Sequence, residues 1–227
     1  LSGSPNEYLR LCRSDPYLKP CAPAAQRNKH AILLALQEIL RADDTVFEFG
    51  SGTGQHAYHI SAAMPKLTWQ PSDLHDKLSD IQLWINESGC SNILPPIRFD
   101  LNEVVLPSFK ASVCFSANTL HIVSWPLVAK MFQVSANILN NGGKLCVYGP
   151  FIFDGKHISQ SNSRFDQQLR HGDSDSVIRD VVELQALARR YGFSNVVVIE
   201  MPANKHLGSN YISGSIFPLI GTKSLNI

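Results

Sequence analysis

The chain has 227 residues, with twenty basic and nineteen acidic side chains and a net charge of +1. That length suits one α/β domain, or one with a small appendage, and such a domain buries roughly 70% of its unfolded surface without staples. The balanced charge, free of like-charge runs, excludes the basic stripe of a nucleic-acid binder and the polybasic patch of a membrane-surface protein. No apolar run approaches the ~20 residues of a membrane span, and no charged-then-apolar signal pattern opens the chain. Its first residue is leucine, so the sequence is expected to be a fragment or to carry a processing scar. Five cysteines (Cys12, Cys21, Cys90, Cys114, Cys146) lack CxxC spacing. They are expected to be reduced thiols in a reducing, cytoplasmic compartment, with no disulfide frame and no metal site.

Residues 1–26, rich in Pro, Ser and Ala, are expected to form an irregular lead-in to a single domain over 27–227. Dense apolar spacing predicts a helix over 27–40, after which Asp43 and Asp44 turn the chain into the strand TVFEF. A helix follows from Gly54 to the stop at Pro65, then a strand over 67–73 ending in Asp73. A further helix over 74–87 ends at Gly89, and IRFD predicts a strand ending at Asp100. ASVCFSAN is nearly all apolar, as a parallel strand buried on both faces should be. Pro126 opens a helix whose buried side is expected to be Leu127, Val128, Met131, Phe132, Val134, Ile138 and Leu139. Asn141-Gly142-Gly143 is expected to end it before the strand KLCVYG. Residues 150–175 read as a long polar connection, which in a compact domain is usually functional. An amphipathic helix is predicted over 177–191, then the strand NVVVIE, while the tail from Met201 has no clear pattern. The β–α alternation implies a doubly wound sheet with right-handed crossovers. Four successive strands end in Glu48, Asp73, Asp100 and Asn118, which should converge on the carboxyl rim where such sheets bind ligands.

The loop after the first strand, VFEFGSGTG, places Gly50, Gly52 and Gly54 at alternate positions. A dinucleotide fingerprint reads GxGxxG, whereas this loop reads ExGxGxG. The pattern resembles the first motif of S-adenosylmethionine-dependent methyltransferases. Read alone, it is also compatible with an ordinary glycine turn in a βα unit. The phrases PAAQRNK, FGSGTGQHA, LTWQPSD, ANTLHIVSW, YGPF, QSNSRFDQQLR, the Arg179-Asp180 pair and MPAN follow in order over residues 20–204. With them the chain resembles the methyltransferase-like 26 family, also called domain of unknown function 938. The resemblance implies a class I methyltransferase fold, a doubly wound, mostly parallel, seven-stranded Rossmann-like α/β sheet. It also implies S-adenosylmethionine as cofactor. The chain after Asn204 departs from the MPANN ending usual in that family.

Under that resemblance, Gly50, Ser51, Gly52, Gly54 and Gln55 form the loop along the methionyl end of the cofactor. Glu48 fixes the loop and meets the ammonium, or is a solvated strand-end carboxylate. Asp73 accepts from the ribose hydroxyls, or caps a turn. Asp100 accepts from the adenine amine, with Leu101 offering its N–H, and Asn118 holds the methionine ammonium. Arg27 either matches the cofactor carboxylate or lies over the surface, and Asn28 either joins it or caps a helix. His121 is the best-placed general base, with a hydrogen-bonded structural role as the alternative reading. Asp166 is an alternative base, or an i, i+4 partner of Arg170. Tyr148, Asn162, Phe165 and Arg170 are expected to shape the acceptor pocket under residues 150–175. His56 is expected near the cofactor, and His59 to pack or face outward. The favoured function is methyl transfer to a small molecule, with no nucleic-acid or membrane partner. A cofactor-binding module without transfer activity is the alternative. A nicotinamide oxidoreductase is disfavoured by the glycine spacing and by the lack of a Tyr-x-x-x-Lys pair.

Overall fold

A computed structural model describes residues 19–103, 106–199 and 221–223. Its elements in chain order begin with α1 (Pro23–Ile39), β1 (Thr45–Phe49), α2 (Gln55–Ala63), β2 (Thr68–Asp73), a 3₁₀ turn (His75–Lys77), α3 (Leu78–Ser88) and β3 (Ile97–Arg98). Next come β4 (Ala111–Ala117), α4 (Trp125–Ile138), β5 (Leu139–Tyr148), β6 (Phe151–Phe153), β7 (Lys156–His157) and α5 (Gln160–Gly172). The order closes with β8 (Arg179–Asp180), α6 (Val181–Arg190), β9 (Phe193–Ser194) and β10 (Gly221–Lys223). Contacts divide the chain into a first unit, Leu1–Asp44 with Gly50–Phe99, and a second, Thr45–Phe49 with Asp100–Ile227.

In the first unit, β2 and β3 pair in parallel, with Asp73 opposite Arg98. Helix α1 starts at Pro23 rather than at Arg27, because proline suits the first turn of a helix. Arg27 and Asn28 therefore lie inside the helix, and Asn28 is not its cap. Ile32, Leu36, Ile60, Trp69 and Ile81 supply buried apolar bulk here. Gly89 ends α3 with a φ of 64°, in the left-handed region that glycine adopts without strain. The third strand stops at Arg98, so Asp100 lies two residues past it rather than at its end. Among the described residues no helix is long and apolar enough to cross a membrane.

The second unit holds the strand run β1-β4-β5-β10-β9. Strands β1, β4 and β5 pair in parallel, whereas β10 runs antiparallel to β5 and β9. The expected α/β fold with a mostly parallel sheet is thus present, β1, β4 and β5 being the parallel part within this unit. Phe47, Phe115, Phe132, Leu145 and Val147 are almost completely buried around these strands. On α4 the buried side is Val128, Met131, Phe132, Val134, Ser135 and Ile138; Leu127 is only half-buried.

Four expectations are corrected in this unit. Asn141-Gly142-Gly143 does not end α4; it lies inside β5, where the register with β4 shifts between Ala111 and Val113. A Cβ on Gly143 would come within 2.9 Å of the Asn140 carbonyl and 3.0 Å of the Ser112 carbonyl, so the irregularity requires glycine. Residues 150–175 are not an open connection. They form the β6–β7 hairpin and α5, and β6 also pairs in parallel with β8 in a three-stranded sheet. The hairpin turn is Asp154-Gly155, both with positive φ (49° and 72°), as a two-residue type I′ turn requires. The helix expected over 177–191 begins at Val181, because Arg179 and Asp180 form β8 and the Asp180 carboxylate caps the helix through Val182 N–H. Residues 195–199 are not a strand; β9 is Phe193–Ser194, and Asn195 turns the chain with a φ of 56°. Residues 1–18, Glu200 and the tail over 201–220 and 224–227 lie outside the described residues.

Candidate functional site

The first unit holds the glycine loop, which begins at Gly50. Gly50, Gly52 and Gly54 all take positive φ, at 65°, 59° and 87°. Ser51 anchors the loop to β2, donating its N–H to the Ser72 carbonyl (3.0 Å) and accepting from Ser72 N–H at its Oγ (3.1 Å). The Asp73 carboxylate completes the anchor: Oδ2 accepts from Gly52 N–H at 2.7 Å and Oδ1 from Leu74 N–H at 2.7 Å. Burial pushes the Asp73 pKa above the ordinary carboxylate value, against the opposing pull of these two N–H groups. The glycines differ in purpose. A Cβ on Gly52 would have nothing within 4 Å, so its backbone faces open space. A Cβ on Gly54 would lie 3.1 Å from Ile81 Cα, so this glycine lets α2 and α3 approach closely.

Gln55 is buried, and its Oε1 accepts from Ala22 N–H and from Thr53 Oγ (2.5 and 2.8 Å), which ties the start of α1 to the loop. Asn28 is buried as well, and its Oδ1 lies 2.8 Å from His56 Nε2. Burial first, then the charges of His59 and Lys29, lowers the His56 pKa to about 4. A neutral His56 donates to Asn28, so both side chains serve the α1–α2 packing. Arg27 is exposed on α1.

In the second unit the parallel register sets Glu48 opposite Phe115 and Phe49 opposite Ser116. Glu48 is buried near the carboxyl end of β1, and Asn118 follows the carboxyl end of β4 in a left-handed conformation (φ 59°). Asn118 N–H donates to the Tyr148 carbonyl at 2.8 Å. Asp100 sits in a turn, its Oδ1 accepting from the N–H and the side-chain amide of Asn102, and Leu101 is half-buried beside it.

The turn after Asn118 carries His121, which is buried. Its ring meets Phe165 of α5 edge-on at 5.5 Å, and a Cβ on Gly149 would lie 3.6 Å from its Nδ1. Burial, reinforced by the positive charge of Arg179, lowers its pKa to about 4, so the imidazole is neutral at neutral pH. Arg179 holds this turn. Its guanidinium donates to the carbonyls of Leu120 (3.0 Å), Val123 and Asp175 (2.8 Å), and Ser176 Oγ donates to the Ile122 carbonyl. The sequence offered Arg179 only as half of a recognisable pair; its role depends on β8 lying beside this turn.

Asp166 is tied rather than poised. Its Oδ1 accepts from Ile178 N–H at 2.7 Å and its Oδ2 from Arg170 Nε at 3.0 Å, the i, i+4 pairing named above. His157 Nε2 is 3.6 Å from the same Oδ2. Asn162 and Phe165 lie on the same helix as Asp166, with Asn162 wholly buried. Tyr148 ends β5 and is half-buried. The groove lined by Arg189, Gly192, Phe193, Ser194, Asn195 and Val196 contains none of the expected site residues. Among the described residues no group of three or more His, Cys, Asp or Glu side chains could hold a metal ion.

A family model described as "Protein of unknown function (DUF938)" matches residues 19–209. Among solved structures, the S-adenosylmethionine-dependent methyltransferase SibL in its apo form is similar, with a TM-score of 0.72 and 16% identity over 88% of this chain and 56% of that one. An O-methyltransferase family protein from Burkholderia thailandensis gives 0.67 and 16% over 90% of this chain and 61% of that one. Human N-acetylserotonin methyltransferase in complex with SAM gives 0.69 and 13% over 88% and 53%. At these identities the likeness is one of fold, that of class I methyltransferases. The chain spans little more than half the length of these matches.

Proposed function

The chain belongs to the DUF938 family, and on that premise we propose that it is an S-adenosylmethionine-dependent methyltransferase of the methyltransferase-like 26 type, acting on a small-molecule acceptor. The observation that carries this reading is the glycine loop. Its Gly52 backbone faces open space while Asp73 and Ser51 hold it in place, so a ligand can lie against the main chain without displacing protein.

These residues suit the methyl donor by their chemistry. Gly50, Ser51, Gly52, Gly54 and Gln55 would border its amino-acid end. The Asp73 carboxylate accepts one N–H bond at each oxygen and keeps lone pairs for ribose hydroxyls. Glu48 and Asn118 would meet the ammonium, and Asp100 and Leu101 the adenine. Arg27 would pair with the carboxylate, with Asn28 supporting it through α1. When bound, the donor supplies an electrophilic methyl group. The chain's own part is to orient the acceptor and to take up its proton. His121 is proposed as the base, since a neutral imidazole is available to accept at any pH above about 4. Asp166, tied to Arg170 and to the Ile178 N–H, is proposed to hold α5 in place rather than to act as a second base. Tyr148, Asn162, Phe165 and Arg170 are proposed to border the acceptor. The free thiols of Cys21, Cys90, Cys114 and Cys146 support a cytoplasmic setting.

Calorimetric titration with S-adenosylmethionine and with NAD tests the reading. Binding of the first alone, abolished by Gly52→Arg, is expected; binding of NAD, or unchanged affinity in the variant, would overturn it. Incubation with labelled donor and metabolite extracts then separates an enzyme from a binding module, for label must appear in a product.

A further inference from the structure

Asn162 is fully buried, and neither its Nδ2 nor its Oδ1 has a hydrogen-bond partner among the described residues. The Nδ1 of His157 is likewise buried without a partner. Buried polar atoms are satisfied in nine cases of ten or more, and an amide orphaned at both ends is rarer still. The polar groups next to it along the chain are engaged with other partners. Ser159 Oγ accepts from the backbone N–H of Asn162, and the two Asp166 oxygens serve Ile178 and Arg170.

Asn162 shares a face of α5 with Phe165 and Asp166. Asn162, Phe165 and Asp166 are three and four residues apart, hence neighbours on a helix surface. Asp166 brings His157 to that face at 3.6 Å, and Phe165 brings the His121 ring to it at 5.5 Å. The two buried residues of α5, Asn162 and Asp166, are both polar. The buried part of this face is therefore polar.

We propose, resting on the methyltransferase reading, that Asn162 and His157 recognise a neutral carboxamide-type edge of the methyl acceptor (a primary amide, lactam or imide) and so place the acceptor beside His121. An amide presents one donor beside one acceptor, the complement of the Asn162 side chain. A carboxylate would satisfy the Asn162 N–H groups but leave Oδ1 facing a like-signed oxygen close to Asp166. An ammonium would leave those N–H groups orphaned. The neutral edge is the one that pairs both ends.

The test uses the full chain with S-adenosylhomocysteine added and three fragments of equal shape: benzamide, acetophenone and benzoate. Ligand-observed NMR titration should show benzamide binding roughly tenfold tighter than either of the others. Asn162→Leu should remove that preference, and Asn162→Asp, which keeps the shape but offers only acceptors, should weaken benzamide binding relative to the wild type while keeping it ahead of benzoate. Because Asn162→Leu deletes an unsatisfied buried amide, its melting temperature should equal or exceed that of the wild type. No preference for benzamide in the wild type, or a preference that survives in Asn162→Leu, overturns the proposal. Calorimetry of S-adenosylhomocysteine on the same samples separates the two readings. Failure to bind it sinks the methyltransferase assignment, whereas binding with level fragment affinities sinks the amide site alone.

Discussion

Acidification should destabilise this protein in a way that can be assigned to His56. The ring is buried against Asn28, and burial lowers its pKa from 6.5 to about 4. In the unfolded chain the same ring takes a proton near 6.5. Between those values the unfolded state binds the extra proton, so stability falls as pH drops from 6.5 toward 4 and is fully retained above 6.5. A shift of this size corresponds to about 3 kcal/mol in total, of which about 2 kcal/mol is lost by pH 5. His56→Gln keeps a donor for Asn28 but cannot titrate. Urea unfolding of wild type and variant at pH 7 and pH 5 supplies the four free energies. The wild type should lose about 2 kcal/mol more than the variant over that interval. His121 titrates in both proteins and cancels from the comparison. Equal losses would show that His56 is solvated or protonated in the native state, which would refute the packing of α1 on α2 through this pair.

The remaining expectations concern the loop and the His121 turn. Gly52→Ala meets only the strain of its positive φ, about 1 kcal/mol. Gly54→Ala adds a Cβ 3.1 Å from Ile81 Cα and should cost more, on the order of 2–4 kcal/mol; chemical denaturation of the two variants should rank them so. His121→Ala should slow turnover roughly 10²-fold or more in a labelled-methyl assay. Because its pKa is about 4, the rate should be level across neutral pH, and a sigmoid centred near 6.5 would contradict the buried setting. Arg179→Lys cannot reach the carbonyls of Leu120, Val123 and Asp175 with one ammonium. Urea unfolding should show a loss of about 2–4 kcal/mol.

The residues themselves determined a good deal. The β–α alternation fixed the fold class, and the GSGTG run set the loop, because only glycine accepts three nearby positive φ values without strain. Gly89 ended its helix where it was expected to. Other features were written in the sequence but hidden by composition. Asp154-Gly155 is a hairpin turn within a stretch too polar to suggest strands, and β6 and β7 are short enough to need β8 beside them. The tertiary structure decided what local pattern cannot encode. Asn141-Gly142-Gly143 has the composition of a helix stop, yet it serves a strand irregularity because the register against β4 demands glycine there. Arg179 and His157 gained their roles from residues 56 to 59 and nine positions away in the chain, respectively. Burial also decided charge: His56 and His121 are ordinary histidines by sequence and neutral ones in the fold, because desolvation depends on what surrounds a side chain and not on its neighbours in the chain.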